Sequence, residues 1–200
     1  VVIFINNQLV RFGGDMSVGA FGIANRIVFI FVMFVMGINQ GMQPIAGYNY
    51  GAQKLDRMMQ VVKLSIIAAT VIMILGWFLA MLAPRQCVSL FTTDQHLIDT
   101  TVHGMRRMML MLPIVGYQMV ITNFFQCIGK VKISIFLSLS RQLLFLLPAL
   151  ALLPIWFGLD GVWLAQPVSD FIASVVTAWI MIVYMHKFKL QHKENQYGRQ

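Results

Sequence analysis

The chain has 200 residues, of which 58% are hydrophobic and only 11% are charged, and its formal net charge is +8. A soluble domain carries about 25% charged residues, so this composition excludes an ordinary soluble domain and makes lipid the expected solvent and partner. In a membrane protein, basic residues usually mark the cytoplasmic surface and its anionic lipid, so nucleic acid is not an expected partner.

Apolar runs of about 20 residues predict membrane-spanning helices. Six spans are expected, at 1–10, 17–46, 60–83, 100–128, 132–154 and 160–186. The first run is too short to cross a membrane alone and is interpreted as the end of a truncated span. The predicted fold class is therefore an all-α integral membrane protein, with a six-helix transmembrane bundle over 1–186 and a polar cytoplasmic tail at 187–200.

Basic residues are distributed unevenly between the two ends of these spans. One side has nine of them against Asp56 and Glu194: Lys54, Arg57, Lys63, Lys130, Lys132, Lys187, Lys189, Lys193 and Arg199. The other side has five against four aspartates: Arg11, Arg26, Arg85, Arg106 and Arg107 against Asp15, Asp94, Asp99 and Asp160. Because cytoplasmic loops collect Lys and Arg, the first side is predicted to be cytoplasmic, with the C-terminus inside and the protein in the cell's inner (plasma) membrane.

The second span ends in GINQGMQPIAGYNYGAQ (37–53), which is rich in amides and glycine and carries no charge. Its first glycines form a GxxxG pattern, which predicts the close approach of a neighbouring helix. Gln40, Gln43 and Pro44 follow one helical stripe, and the proline deprives the Gln40 carbonyl of its helical N–H partner. The glycines of GYNYGA are expected to end the helix. This segment is therefore predicted to be an amide-lined inner mouth of the bundle.

Two charged residues are predicted to lie near the middle of the membrane. Arg141 is roughly 14 Å into its span and Asp170 roughly 15 Å from Asp160, at about 1.5 Å per helical residue. A charge at that depth costs about 2.5–3.5 kcal/mol, and a pair between the two residues would offset this cost. A structural ion pair and a cation or proton site both remain open. The second interpretation is favoured by a polar helical face that Asp170 shares with Trp163, Gln166, Pro167, Ser174 and Thr177.

Two neighbouring spans also carry polar stripes at helical spacing. These are Tyr117, Gln118, Thr122, Asn123 and Gln126 on one span, and Ser134, Ser138, Arg141 and Gln142 on the next. Such residues often only join helices by hydrogen bonds. Stripes on three consecutive spans also favour a shared, partly hydrated cavity, and both interpretations remain open.

Catalytic and metal-binding patterns are not found. The histidines lie in loops or at span ends, without HExxH spacing, and the sequence has no GxSxG. Cys87 and Cys127 have no metal or redox spacing. We therefore predict no enzyme activity, no catalytic residue, no metal site and no organic cofactor.

The run GINQGMQPIAGYNYGAQKLDR (37–57) resembles the segment that ends the eighth helix of the multidrug and toxic compound extrusion (MATE) family. Further similar segments follow in the family's order: NNQL (6–9), GGDMSVGAFGIANRI (13–27), LFTTD (90–94), GKVKISIFLSLSRQLLFLLPALALLP (129–154) and GVWLAQPVSD (161–170). The resemblance implies twelve helices in two six-helix lobes. This chain would be the C-terminal lobe, with helix 7 cut short.

The resemblance also implies a secondary active antiporter that exports small organic cations in exchange for H⁺ or Na⁺ by alternating access. The missing N-terminal lobe would then be a partner. Sodium-coupled members carry acidic residues in the tenth helix, whereas the matching span 100–128 has no carboxylate. Asp170 is therefore the ion-coupling candidate. The predicted substrate path or lobe interface comprises Gln40, Gln43, Pro44, Tyr117, Gln118, Asn123, Arg141 and Gln166.

A flippase for lipid-linked precursors, from the same wider superfamily, is the alternative. Such a protein would need several cationic residues in its central cavity to hold a pyrophosphate. Only Arg141 is clearly central in this sequence.

Overall fold

The computed structural model describes the backbone of residues 1–197 and the side chains of residues 1–186, and this part of the chain contains helices and no strand. The α-helices are α1 (Val2–Gly51), α2 (Leu55–Leu82), α3 (Pro84–Ser89), α4 (Gln95–Met108), α5 (Leu112–Cys127), α6 (Val131–Leu139), α7 (Leu147–Phe157) and α8 (Leu159–Tyr197). The predicted all-α class is confirmed. The side chains of the tail at 187–200 lie outside the described residues, so its cytoplasmic position stays a prediction.

The long helix α1 is broken near its start. Gly14 has φ 69° and ψ −175°, which separates a short segment, 2–13, from a long one, 15–51. The positive φ favours glycine, because an L side chain is strained there. Ile5 and Leu9 of the short segment pack in a cluster with Leu146 and Leu150. The break lies between the predicted first and second spans.

The later helices lie in the order of the expected spans, and one of these spans contains a bend. The described chain has helices long and apolar enough to cross a membrane at Val2–Gly51, Leu55–Leu82, Val131–Phe157 and Leu159–His186. The span predicted at 100–128 corresponds to two helices, α4 and α5, which together are long and apolar enough for one span but meet at a bend of 57°. Pro113 lies in the first turn of α5, where its missing N–H is tolerated, and it could not be accommodated inside a continuous helix without loss of a hydrogen bond.

The span predicted at 132–154 is also irregular. Between α6 and α7 the chain forms a π-helical segment, Ser140–Leu146, which contains Arg141. Pro148 follows in the first turn of α7. A proline ring clashes with the carbonyl four residues earlier in an α-helix, and a wider turn relieves that clash. Single π turns are frequent at functional sites, which makes this segment a candidate.

The helix α1 ends within GYNYGA as predicted, but its left-handed residue is not a glycine. The helix continues through Pro44 and ends at Gly51, and the left-handed residue is Gln53, with φ 56°. The Lys54 N–H donates to the Asn49 carbonyl at 2.9 Å and the Gln53 N–H to the Tyr50 carbonyl at 3.1 Å. These two bonds form a Schellman motif with glutamine where glycine is usual.

The GxxxG pattern does not join two helices of this bundle. A Cβ added at Gly37 or Gly41 would meet nothing within 4 Å. The close helix contact lies elsewhere, at Gly116 of α5, where a Cβ would be 2.9 Å from the carbonyl oxygen of Ala69 in α2. Gly37 and Gly41 instead lie on the outer surface of α1, beside the exposed Gln40 and Pro44.

Candidate functional site

A polar cavity of about 200 Å³ lies between α5 and the irregular helix that follows it. Its walls come from the two stripes noted in the sequence: Gln118, Met119, Thr122 and Asn123 on one side, and Leu137, Ser138, Arg141 and Gln142 on the other. Ser138 and Gln142 are exposed, whereas Gln118 is buried. The cavity therefore has a closed, amide-bearing end and opens at the surface of the bundle.

Arg141 joins this cavity to α8. Its Nη1 lies 3.6 Å from Oδ1 of Asp170, and the exposed fractions of the two side chains are 30% and 7%. Arg141 and Asp170 therefore form an ion pair, which offsets the cost of burying each charge. The Asp170 Oδ1 atom has no hydrogen-bond partner among the described residues. The guanidinium can reach the cavity, while the carboxylate is enclosed behind it.

A second contact fixes the same two segments through the backbone. Ser169 Oγ donates to the carbonyl oxygen of Arg141 at 2.8 Å. That carbonyl belongs to the π-helical segment, in which hydrogen bonds follow the wider i→i+5 pattern. The neighbouring residues Ser169 and Asp170 therefore hold the main chain and the side chain of Arg141, respectively.

At the other edge of the cavity, Gln43 joins α1 to α5. Gln43 Nε2 donates to Oδ1 of Asn123 at 2.8 Å, and Asn123 Nδ2 donates to the Met119 carbonyl oxygen at 3.2 Å. The amide in the glycine-rich segment of α1 is therefore in direct contact with a residue of the cavity wall. If α1 moved relative to α5, this hydrogen bond would break unless the Asn123 side chain moved with Gln43.

Tyr117 serves as a joint between α5 and α8 away from the cavity. Its hydroxyl donates to the carbonyl oxygen of Ser174 at 2.6 Å. On the polar face of α8, Ser174 Oγ donates to the Phe171 carbonyl and Thr177 Oγ1 to the Ala173 carbonyl, at 2.6 and 2.8 Å. The Ser174 and Thr177 hydroxyls thus donate to carbonyl oxygens of their own helix, so this part of the polar face contributes to helix packing.

Two buried amides have side-chain atoms without a hydrogen-bond partner among the described residues. These atoms are Oε1 of Gln118 and both polar side-chain atoms of Asn39, a residue that is 2% exposed. An unsatisfied buried polar group costs about 1–3 kcal/mol, so such groups need water, a ligand or a functional reason. Gln118 lies against the cavity, which is large enough to hold several waters at about 30 Å³ each.

Other predicted residues do not join the cavity. Gln40 and Pro44 are exposed on α1, and Gln166 is half-buried and forms no hydrogen bond with a described side chain. Among the described residues, no three His, Cys, Asp or Glu side chains lie together as metal ligands would. Among the predicted residues, the structure therefore brings together Gln43, Gln118, Asn123, Arg141 and Asp170.

Sequence reasoning missed three contributors to this site. Met119 and Leu137 form apolar walls, and Ser169 holds the Arg141 carbonyl. A signal for Ser169 exists, since it precedes the predicted Asp170. The two apolar residues carry no distinguishing signal in a chain that is 58% hydrophobic.

Comparisons with known proteins agree on one family. A family model described as MatE matches residues 2–150. Multidrug export protein MepA of Staphylococcus aureus (strain MSSA476) is 25% identical over 177 residues, covering 88% of this chain and 38% of that protein. MepA of Staphylococcus haemolyticus (strain JCSC1435) is 26% identical over 167 residues, covering 82% and 36%. The chain thus spans less than two-fifths of these relatives' length.

Solved structures give the same result. The MATE multidrug transporter DinF-BH is 40% identical, with a TM-score of 0.77 over 89% of this chain and 40% of that one. An outward-facing multidrug resistance MATE family transporter of the MOP superfamily has a TM-score of 0.87 at 21% identity, covering 94% and 43%. The second likeness shows that the fold is shared.

Proposed function

This chain belongs to the MatE family of membrane transporters, and we propose that it forms the C-terminal lobe of a secondary active multidrug efflux antiporter. The proposed cargo is a small organic cation, exported by alternating access in exchange for H⁺ or Na⁺. The relatives support this cargo, since MepA is described as a multidrug export protein and DinF-BH as a multidrug transporter. The proposed partner is an N-terminal lobe, and the proposed orientation places the C-terminus in the cytoplasm at the inner membrane.

The observation that carries the proposal is the polar cavity joined to Asp170 through Arg141. Secondary transporters bind substrate and coupling ions between repeats near the membrane midplane, where broken helices supply polar groups. Here the cavity lies at a π-helical segment and opens at the surface of the lobe. The open face would therefore face a second lobe, and the buried amide of Gln118 would contribute to the shared path.

Asp170 is the proposed coupling residue. Apart from Asp160 at the edge of the last span, it is the only acid within the predicted spans. Its carboxylate faces one charged group among the described residues, the guanidinium of Arg141. A proton or sodium ion that bound the carboxylate would compete with this guanidinium. Loss of the ion pair would free the Arg141 side chain to turn toward the cavity. Binding of the ion at Asp170 would then be coupled to the cavity through Arg141.

The flippase alternative is not favoured. The comparisons name multidrug transporters, and Arg141, the cationic residue of the cavity, is already paired with Asp170. A pyrophosphate would require several cationic side chains at one place, because each contributes a charge-assisted hydrogen bond. The cavity wall supplies one.

The test follows a fluorescent organic cation in proteoliposomes that contain the intact protein, under an imposed proton or sodium gradient. We expect gradient-driven movement in the wild type and its loss in Asp170→Asn. Asp15→Asn is the matched control, because Asp15 is exposed and forms no hydrogen bond or ion pair with a described side chain.

Unchanged coupled movement in Asp170→Asn over the whole pH range would exclude this residue as the coupling group. Equal losses in Asp170→Asn and Asp15→Asn would indicate a general effect of charge removal. No movement under either gradient, in protein that still binds the cation, would contradict the antiporter proposal itself.

A further inference from the structure

A second and larger pocket lies far from the cavity, where α2, α3 and α4 meet. Its volume is about 800 Å³. Basic and apolar side chains line it together: Arg85, His103, Arg106 and Arg107, with Met81, Leu82, Val102 and Leu110. The family resemblance and the proposed transport path assign no role to this pocket.

The charges in the pocket do not cancel. Three arginines and one aspartate line it, so the arginines outnumber the acids. Arg85 contacts Asp99, and Arg107 Nη2 lies 3.2 Å from Oδ2 of Asp160 behind the pocket. Arg106 is exposed and forms no ion pair with a described residue. The pocket therefore retains at least one guanidinium available to an anion.

His103 contacts two charged side chains beside the pocket. Its Nε2 lies 3.3 Å from Oδ1 of Asp160, and Arg107 also contacts this ring. Asp160 thus orients His103 and Arg107 at the same time. Because Asp160 already pairs with Arg107, Arg106 is the arginine of α4 that an anion in the pocket can contact.

The apolar part of the lining is exposed in the same region. Leu82 is 81% exposed and Leu110 is 48% exposed. Leu82 ends α2 at the predicted outer side, and Leu110 lies between α4 and α5, close to Arg106 and Arg107, which are also assigned to that side. Apolar side chains beside arginines at a helix end fit a ligand with an acyl chain and an anionic group, rather than a free ion.

We propose that this pocket binds an anionic phospholipid at the outer surface of the membrane, with its phosphate at Arg106 and an acyl chain along Leu82 and Leu110. Arginine suits phosphate because its planar guanidinium donates two parallel hydrogen bonds. The bound lipid would hold the end of α2 against α4 at the point where the chain enters the bent span. This proposal does not depend on the proposed coupling role of Asp170.

The test measures lipid retention by the intact protein, purified in detergent, by native mass spectrometry. Phosphatidylglycerol is the anionic probe, phosphatidylcholine the zwitterionic probe and inorganic phosphate the free-ion probe. We expect phosphatidylglycerol to be retained in preference to phosphatidylcholine. Arg106→Gln should lower that retention about tenfold, which corresponds to about 1.4 kcal/mol.

Two further variants make the test specific. Arg106→Lys should keep part of the retention, because it keeps the charge but not the fork of donors. Arg11→Gln should keep all of it, since Arg11 is an exposed arginine on the same predicted side and does not line this pocket. Equal retention in Arg106→Gln and wild type, or equal binding of the two lipids, would overturn the proposal. Displacement of phosphatidylglycerol by millimolar inorganic phosphate would identify a free-phosphate site instead of a lipid site.

Discussion

The guanidinium of Arg141 lies 3.6 Å from the carboxylate of Asp170, while Ser169 Oγ donates to the Arg141 carbonyl oxygen at 2.8 Å. One residue of α8 thus holds the side chain of Arg141, and its neighbour holds the backbone. The ion pair can break while the π-helical segment remains attached to α8. A switch at this position would need one contact that can break, the ion pair, and a separate contact that keeps the segment attached, the Ser169 hydrogen bond.

The two partners of this pair should contribute unequally to stability. Asp170→Asn leaves a guanidinium that is 30% exposed, whereas Arg141→Gln leaves a carboxylate that is only 7% exposed. Loss of one partner of a buried pair costs about 3–5 kcal/mol, mostly through the charge left behind. We expect Arg141→Gln to reduce the free energy of unfolding more than Asp170→Asn, as measured by denaturant unfolding in detergent.

The double variant Arg141→Gln/Asp170→Asn provides the control for this prediction. It removes both charges, so it should be more stable than Arg141→Gln alone. Equal losses in the two single variants would contradict the predicted asymmetry, and strictly additive losses in the double variant would show that the pair contributes little.

The Gln43–Asn123 hydrogen bond should make a small, measurable contribution. It joins α1 to α5 at 2.8 Å. Hydrogen bonds between membrane helices contribute about 0.6 kcal/mol on average and up to about 1.7 kcal/mol. A double-mutant cycle with Gln43→Ala and Asn123→Ala should give a coupling energy in that range. A coupling energy near zero would mean that the bond does not hold the helices together.

The close contact of α2 and α5 should not tolerate a methyl group. A Cβ at Gly116 would be 2.9 Å from the Ala69 carbonyl oxygen, a backbone atom that cannot rotate away. Gly116→Ala is expected to lower stability by about 1–3 kcal/mol through overpacking. Gly41→Ala is the control, because a Cβ there meets nothing within 4 Å. Equal melting temperatures of the two variants would contradict this packing.

Labelling of Cys87 can test the predicted orientation. Cys87 lies in α3, on the predicted outer side, and burial raises the pKa of its thiol. Because the thiolate is the reactive form, labelling should accelerate as the pH rises above neutral. A membrane-impermeant maleimide added outside intact cells should label the wild type, and Cys87→Ser should remove that signal. A signal lost only in Cys127→Ser would reverse the topology.

Sequence reasoning succeeded where a large free energy depends on residue type alone. The spans follow from apolar length, and the Arg141–Asp170 pair follows from the cost of charge in lipid. It failed where geometry depends on tertiary contacts. The 57° bend before α5 and the π-helical segment each accompany a proline, yet α1 and α8 remain helical through Pro44 and Pro167. The presence of a proline therefore does not by itself predict whether a helix bends.

The left-handed residue that ends α1 was missed because two glycines, Gly47 and Gly51, closely precede it and are the more usual residues for that conformation. Gln53 has φ 56°, and Gly129 occupies the equivalent position after α5 with φ 78°. Both turns are closed by the same pair of backbone bonds: Lys54 to Asn49 and Gln53 to Tyr50 after α1, and Lys130 to Phe125 and Gly129 to Gln126 after α5.

The same motif with two different residues permits a reciprocal prediction. The left-handed conformation costs a non-glycine residue about 1–2 kcal/mol, partly offset by the greater freedom of glycine in the unfolded chain. Gln53→Gly should therefore stabilise the protein by up to about 1 kcal/mol, and Gly129→Gln should destabilise it by a similar amount. Thermal unfolding in one detergent measures both. Destabilisation by Gln53→Gly would show that the glutamine side chain contributes more at this turn than its backbone strain costs.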